Sequence, residues 1–398
     1  MSELDVVPNG AVWIGGDGMI RGVGPYASLK GAAASARSAT VEVDGVLLPG
    51  FVDAHTHAVF GAARLEDHER RARGVGYKEI AAAGGGILSS VRDVRRRSSK
   101  ELAEVTARRL TTLLAHGTTT IEVKSGYGLT TADELKQLEV VRAASPQGLR
   151  AVATFLGAHE IPDEYRADPD AYVTLVIEEM LPAVQRQGIA RFCDVFCEPG
   201  VFSIDQSRRV LEAARRHGFG LKLHADELDV SGGAELAVQV GAVSADHLAA
   251  ISDQGIAALG AHATVAVLLP GTMLFLGKRQ QAPARRLIDA GAAVALATDF
   301  NPGSSPGMSL ALMAMLGVSQ MSMLPAETII AITVNGAAAV GEAERVGQLA
   351  PGFRGDLVLL AARDWRELPY WYGANLVREV WLGGAACHVA ERHLDFAL

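Results

Sequence analysis

Apolar and polar positions divide this chain into two kinds of stretch. Between residues 51 and about 340, short β-branched apolar runs take turns with longer segments whose apolar positions recur at helical spacing. The runs predict strands over 51–57, 119–124, 151–159, 192–197, 220–224, 242–246, 264–269 and 293–298. The segments between them predict helices over 100–115, 131–144, 172–186, 205–217, 233–240, 253–260 and 282–290. Several of these close on a glycine of C-cap type: Gly117, Gly188, Gly218, Gly241 and Gly291. Eight strand–helix repeats of this length predict an α/β fold, the (β/α)8 barrel. A doubly wound open sheet uses the same alternation. The absence of a Gly-x-Gly-x-x-Gly turn after the first strand argues against it.

The two ends read differently. Residues 10–49 alternate short apolar runs with turn pairs such as Gly24-Pro25 and Asp44-Gly45, broken only by an Ala-rich helical stretch over 28–37. The same hairpin pattern returns after Gly341, with apolar runs over 346–349, 356–360 and 377–382. The pattern predicts a small β-sandwich domain built discontinuously from residues 1–49 and 341–398, flanking a barrel over 50–340.

Composition narrows the classes. The 398 residues are 49% apolar and 21% charged, which suits a soluble globular chain of one large and one small domain. Net charge is −8, and the one basic run (Arg92, Arg95, Arg96, Arg97) reads as a solvated helix face, so nucleic acid is not an expected partner. Three cysteines make an odd count, which argues against a disulfide framework and for a reducing compartment. Cys193 and Cys197 read as core residues. No segment has the apolar length of a membrane span, and residues 1–10 carry acids without an apolar core, unlike a signal peptide. The expected location is the cytoplasm, with no membrane partner.

Candidate chemistry gathers where the barrel strands should end, which is where active sites of this architecture sit. His55 and His57 close the first strand; side chains two apart on a strand share a face, so both imidazoles are placed to reach one cation. Read alone, the pair also fits two polar residues at a strand end. Lys124 and Tyr127 follow strand two, His159 ends strand three, His224 strand five, His247 follows strand six and Asp299 strand eight. Asp299 leaves an apolar strand, so its carboxylate needs a partner; a cation is one, a helix cap or turn another. Three imidazoles and a carboxylate leave a coordination position open for water, the arrangement of a catalytic metal. Glu227 follows His224 in the next loop.

The segments Pro49-Gly50-Phe51-Val52-Asp53-Ala54-His55-Thr56-His57, Lys124-Ser125-Gly126-Tyr127-Gly128, His224-Ala225-Asp226-Glu227, Asp246-His247 and Asp299-Phe300-Asn301-Pro302-Gly303-Ser304 resemble the amidohydrolase superfamily. Within it, they are similar to the imidazolonepropionase family. The resemblance runs from about residue 45 to 360, and the Lys-Ser-Gly-Tyr-Gly and Asp-Phe-Asn-Pro-Gly-Ser segments are its specific parts. It implies hydrolysis of the cyclic amide of 4-imidazolone-5-propanoate to N-formimidoyl-L-glutamate. It implies one metal ion, Zn2+ or Fe3+, held by His55, His57, His224 and Asp299. His247 and Asp299 then share the proton work, and Glu227 bonds the substrate ring. Arg64, Tyr127, His159, Asn301, Gly303 and Ser304 match substrate contacts, Arg64 being suited to a carboxylate tail. Locally, Arg64 also fits a surface arginine and His247 a core histidine. The expected assembly is a homodimer. Two other readings share much of this residue set: a mononuclear deaminase acting on a formimino or ring amidine group, and a barrel without catalysis that serves as a scaffold.

Overall fold

The computed structural model describes residues 3–36, 38–76, 79–80 and 83–390. The chain opens with an antiparallel hairpin, β1 (Gly10–Ile14) and β2 (Ile20–Pro25), followed by the helix Tyr26–Ser35. β3 (Val46–Pro49) then leads straight into β4 (Phe51–Asp53). After it come β5 (Thr118–Lys124), β6 (Arg150–Ala158), β7 (Phe192–Cys197), β8 (Gly220–Ala225), β9 (Ser244–His247), β10 (Val265–Leu268) and β11 (Val294–Leu296).

β4 to β11 form one parallel sheet in sequential order, each strand paired with the next. A parallel bridge between Thr56 and Phe300 joins its two edges. Backbone bonds from His57 N to Phe300 O (2.9 Å) and from Asp299 N to His55 O (3.0 Å) complete the seam. The sheet is therefore the expected barrel. Its strands are buried on both sides because helices cover the outside while side chains fill the inside. Capping explains where some of those helices start: Ser98 and Glu101 form a capping box for Ser99–Ala115, and Ser203 with Gln206 does so for Ile204–Arg216.

Beside the barrel lies a four-stranded antiparallel sheet ordered β14 (Ala385–Val389), β13 (Val377–Leu382), β12 (Leu357–Leu360), β3. It takes strands from both chain ends, since β3 pairs with β12. Gly50 makes the passage from β3 to β4 possible: a β-carbon there would collide with the Thr119 side chain.

Three expectations change. The apolar run 346–349 is no strand; it lies in a stretch of turns and bends, where Gly347 takes φ +86° and Val346 is buried in the core. Regular pairing of the first barrel strand ends at Asp53, so His55 and His57 flank the closing bridge rather than sit on the strand. Strand eight stops at Leu296, two residues before its expected end. The helices Leu65–Ala72 and Pro270–Phe275 are additional, and the Arg92–Arg97 run falls largely on the helix Gly86–Arg96. Among the described residues no helix is long and apolar enough to cross a membrane.

Candidate metal centre and active site

The barrel seam brings three imidazoles together. His55 and His57 leave the pairing after β4, and His224 stands near the end of β8. Their Nε2 atoms meet: His55 to His57 at 3.2 Å and His57 to His224 at 3.4 Å. Asp299 Oδ1 joins them, 3.5 Å from His55 Nε2 and 3.6 Å from His57 Nε2. All four side chains are buried.

The far sides of two rings face buried carboxylates. His55 Nδ1 lies 2.6 Å from Asp246 Oδ2, and His224 Nδ1 lies 3.0 Å from Asp194 Oδ2. A carboxylate only accepts, so His55 Nδ1 is a protonated nitrogen and its Nε2 presents a lone pair inward; His224 Nδ1 faces Asp194 at ion-pair distance without a hydrogen bond. His57 Nδ1 has no hydrogen-bond partner among the described residues. Burial, with Lys124 and the neighbouring histidines adding to it, holds His55 well below the usual imidazole range. His57 is held down in the same way, by burial first and then His159 and His224. His55 and His57 kept neutral by burial, with His224 Nε2 and a carboxylate oxygen close to their Nε2 atoms, fit a metal ion.

Asp299 sits in left-handed backbone, φ +50°, and its Oδ2 accepts from Thr272 Oγ at 2.6 Å. Burial raises its carboxyl to about 6, against the pull of Thr272. His247 also has positive φ, +80°, at the end of β9. Such backbone in bulky residues costs energy and clusters at functional sites. The His247 ring lies 5.2 Å from that of His224, and its Nε2 is 3.6 Å from Glu227 Oε2. Burial drives the Glu227 carboxyl well above its usual range, with Asp299 and Glu198 adding like charge.

One cavity is lined by His57, His224, His247, Asp299 and Glu227, together with Arg64, Tyr127, His159, Asn301 and Ser304. Phe196, Ile87 and Leu228 supply its apolar wall. Arg64 Nε donates to Ser90 Oγ at 3.0 Å, and its Nη2 reaches Tyr127 Oη at 3.4 Å. Gly303 lies directly under the Arg64 guanidinium. Tyr127 is presented by a turn that the helix Thr131–Ala144 grips: Glu134 accepts from the backbone N–H groups of Gly126, Gly128 and Leu129, and Gln137 from that of Tyr127. Gly126 takes φ +105° there, and Gly128 comes too close to the helix for any side chain. His159 stacks on His57 (5.0 Å between ring centres, 14° between planes) and donates Nδ1–H to Gly126 O. Burial, then the neighbouring His224, pushes its imidazole down to about 3.

Of the metal, catalytic and substrate candidates, all but His55 and Gly303 line this cavity; His55 adjoins His57, Gly303 lies against Arg64, and Lys124 lies beneath. Asn301 differs in detail: Oδ1 accepts from the N–H groups of Gly303 and Ser304, and Nδ2 donates to Asp299 O, so it shapes its own loop.

Sequence reading gave no role to the layer beneath. Lys124, Glu122, Asp194, Asp246 and Lys222 are fully buried inside the barrel. Asp53 is buried too, its carboxylate held by the Thr298 N–H and hydroxyl. A signal was present: Glu122 and Lys124, Lys222 and His224, and Ser244 and Asp246 are each two apart, hence on one face of their strands.

A model of the amidohydrolase family matches residues 46–386. The chain is 47% identical over 388 residues to the imidazolonepropionase of Geobacillus kaustophilus (strain HTA426), covering 96% of this chain and 91% of that protein. It is 47% identical over 385 residues to the imidazolonepropionase of Solibacter usitatus (strain Ellin6076), covering 96% and 92%. Among solved structures, an adenosine deaminase from Xanthomonas campestris with bound zinc is similar at a TM-score of 0.72 and 21% identity, over 99% of this chain and 91% of that one. A 5-methylcytosine deaminase from Klebsiella pneumoniae gives 0.69 at 16%, over 97% and 96%. At those identities the two structures speak for the fold alone.

Proposed function

The chain belongs to the amidohydrolase family and to its imidazolonepropionase branch, and we propose that it hydrolyses the ring amide of 4-imidazolone-5-propanoate to N-formimidoyl-L-glutamate. One observation carries this reading: imidazole lone pairs and a carboxylate converge on one point of a cavity that a fixed arginine also lines.

His55, His57, His224 and Asp299 would hold one ion, zinc or iron, both of which suit three imidazoles and a carboxylate. When bound, it activates water near neutral pH and polarises the ring carbonyl. The protein's own groups do the rest. Neutral His247 and the ionised form of Asp299 are bases within the cavity for the proton of the attacking water. That proton ends on the ring nitrogen that leaves. Glu227, beside His247, faces a ring N–H. Arg64, held by Ser90 and Tyr127, takes the propionate with its fork of N–H groups. His159 and the loop of Asn301, Gly303 and Ser304 complete the enclosure. The antiparallel strands of residues 1–49 and 341–398 form a separate small domain, and the working assembly is a cytoplasmic homodimer.

A deaminase would share the histidines and Asp299. The Arg64–Tyr127 pair favours the lactam hydrolase, because it answers a carboxylate tail. Incubation with imidazolonepropionate, followed by absorbance and by product identification, separates the two. The expected product is N-formimidoyl-glutamate without ammonia. Ammonia release from that compound, with the ring substrate untouched, would overturn the assignment.

A further inference from the structure

Beneath the imidazoles, the barrel holds a closed set of charges. Lys124 Nζ, at the end of β5, lies 2.8 Å from Asp194 Oδ2, 2.8 Å from Glu122 Oε2 and 3.5 Å from Asp246 Oδ2. Lys222 Nζ lies 3.1 Å from Glu122 Oε1 and donates to the carbonyls of Ala54 and Ala339. All five side chains have no exposed surface, so none of these charges is screened by water.

Two of the oxygens that Lys124 approaches are also those that face the rings. Asp246 Oδ2 bonds His55 Nδ1 at 2.6 Å, and Asp194 Oδ2 stands 3.0 Å from His224 Nδ1. The other oxygen of each acid is occupied elsewhere: Asp194 Oδ1 accepts from the Val195 and His224 N–H groups, Asp246 Oδ1 from Ser244 Oγ. One ammonium thus joins two carboxylate–imidazole pairs drawn from β7, β8, β9 and the barrel seam. Burial works against the ammonium, but Asp194, Glu122 and Asp246 outweigh it and keep it charged.

We propose that Lys124 is a positioning residue, whose ammonium locks Asp194 and Asp246 in place and so sets the proton position of His55 and the direction of His55 and His224 before any ion binds. This rests on the metal reading of those rings. The alternative role is plain charge balance, and the two are separable. Two cations face three carboxylates here; Lys124→Met leaves one facing three, and adding Glu122→Gln leaves one facing two. The double variant therefore restores the original imbalance but not the link.

The test is Zn2+ binding to the metal-free protein by equilibrium dialysis, with nitrogen-15 spectra of the imidazoles. The expected result is that the double variant melts close to the parent yet binds Zn2+ about 10- to 100-fold more weakly, the range for losing support behind a ligand. In the metal-free parent, His55 should show the Nδ1–H form, and the variant should lose it. Equal Zn2+ affinity in parent and double variant would overturn the inference. So would Nε2–H at His55 in the metal-free parent, a result that needs no variant to fold. A parent that takes up no ion would instead fail the metal reading itself.

Discussion

A β-carbon on Gly303 would stand 2.8 Å from Arg64 Nε and closer still to Cζ and Nη1. The glycine is the floor on which the guanidinium lies, and the loop that carries it begins at Asp299. Gly303→Ala should therefore push the arginine off its site rather than unfold the chain, because the atoms it meets are the far end of a flexible side chain. The expected result is a raised KM with kcat and melting temperature close to the parent. An unchanged KM would remove Gly303 from the account of binding.

Arg64→Ala should raise KM about 10- to 100-fold, the effect of losing a charge-assisted pair worth roughly 1.5–3 kcal/mol, with a smaller change in kcat. Steady-state kinetics on the ring substrate and on an analogue lacking the carboxylate check it. Equal turnover of both by the parent enzyme would contradict the role given to Arg64.

Gly126 has φ +105°, and a β-carbon there would lie 2.8 Å from His159 Nδ1 and 2.9 Å from Leu156 O. Gly126→Ala should destabilise the fold by about 1–3 kcal/mol and displace both Tyr127 and His159. Thermal melting measures the first effect and KM the second. A variant with parent-like melting would show that the turn tolerates a side chain.

Cys193 and Cys197 are buried and Cys387 is exposed. Burial pushes the Cys193 thiol far up and the Cys197 thiol to about 11, so at pH 8 both are protonated and shielded. A thiol reagent should titrate one group in the native chain and three after denaturation. Two or more fast-reacting thiols in the native chain would contradict the packing described for β7.

Much of this was legible in the sequence, for a physical reason. Barrel strands buried on both faces are mostly apolar, so a His or Asp at the end of such a run stands out, as His224 and Asp299 do. Charges inside a strand are harder to read. Lys124 and Asp246 stand at or next to strand ends, and only the closed barrel shows that they meet across its interior. The run 346–349 misled because apolar content is shared by strands and by buried turns, and only Gly347, at φ +86°, marks the difference. The helix Leu65–Ala72 was missed because it is mostly charged and has little apolar face to register.

The central claim is that residues from β8, from the seam after β4 and from the segment after β11 hold one ion. Anomalous diffraction at the metal edge, on crystals of the protein as purified, tests it most directly. The account predicts one peak per chain within about 2.0–2.2 Å of the Nε2 atoms of His55, His57 and His224 and of an Asp299 oxygen. A peak ligated by other residues, or no peak in protein that still turns over substrate, would contradict it.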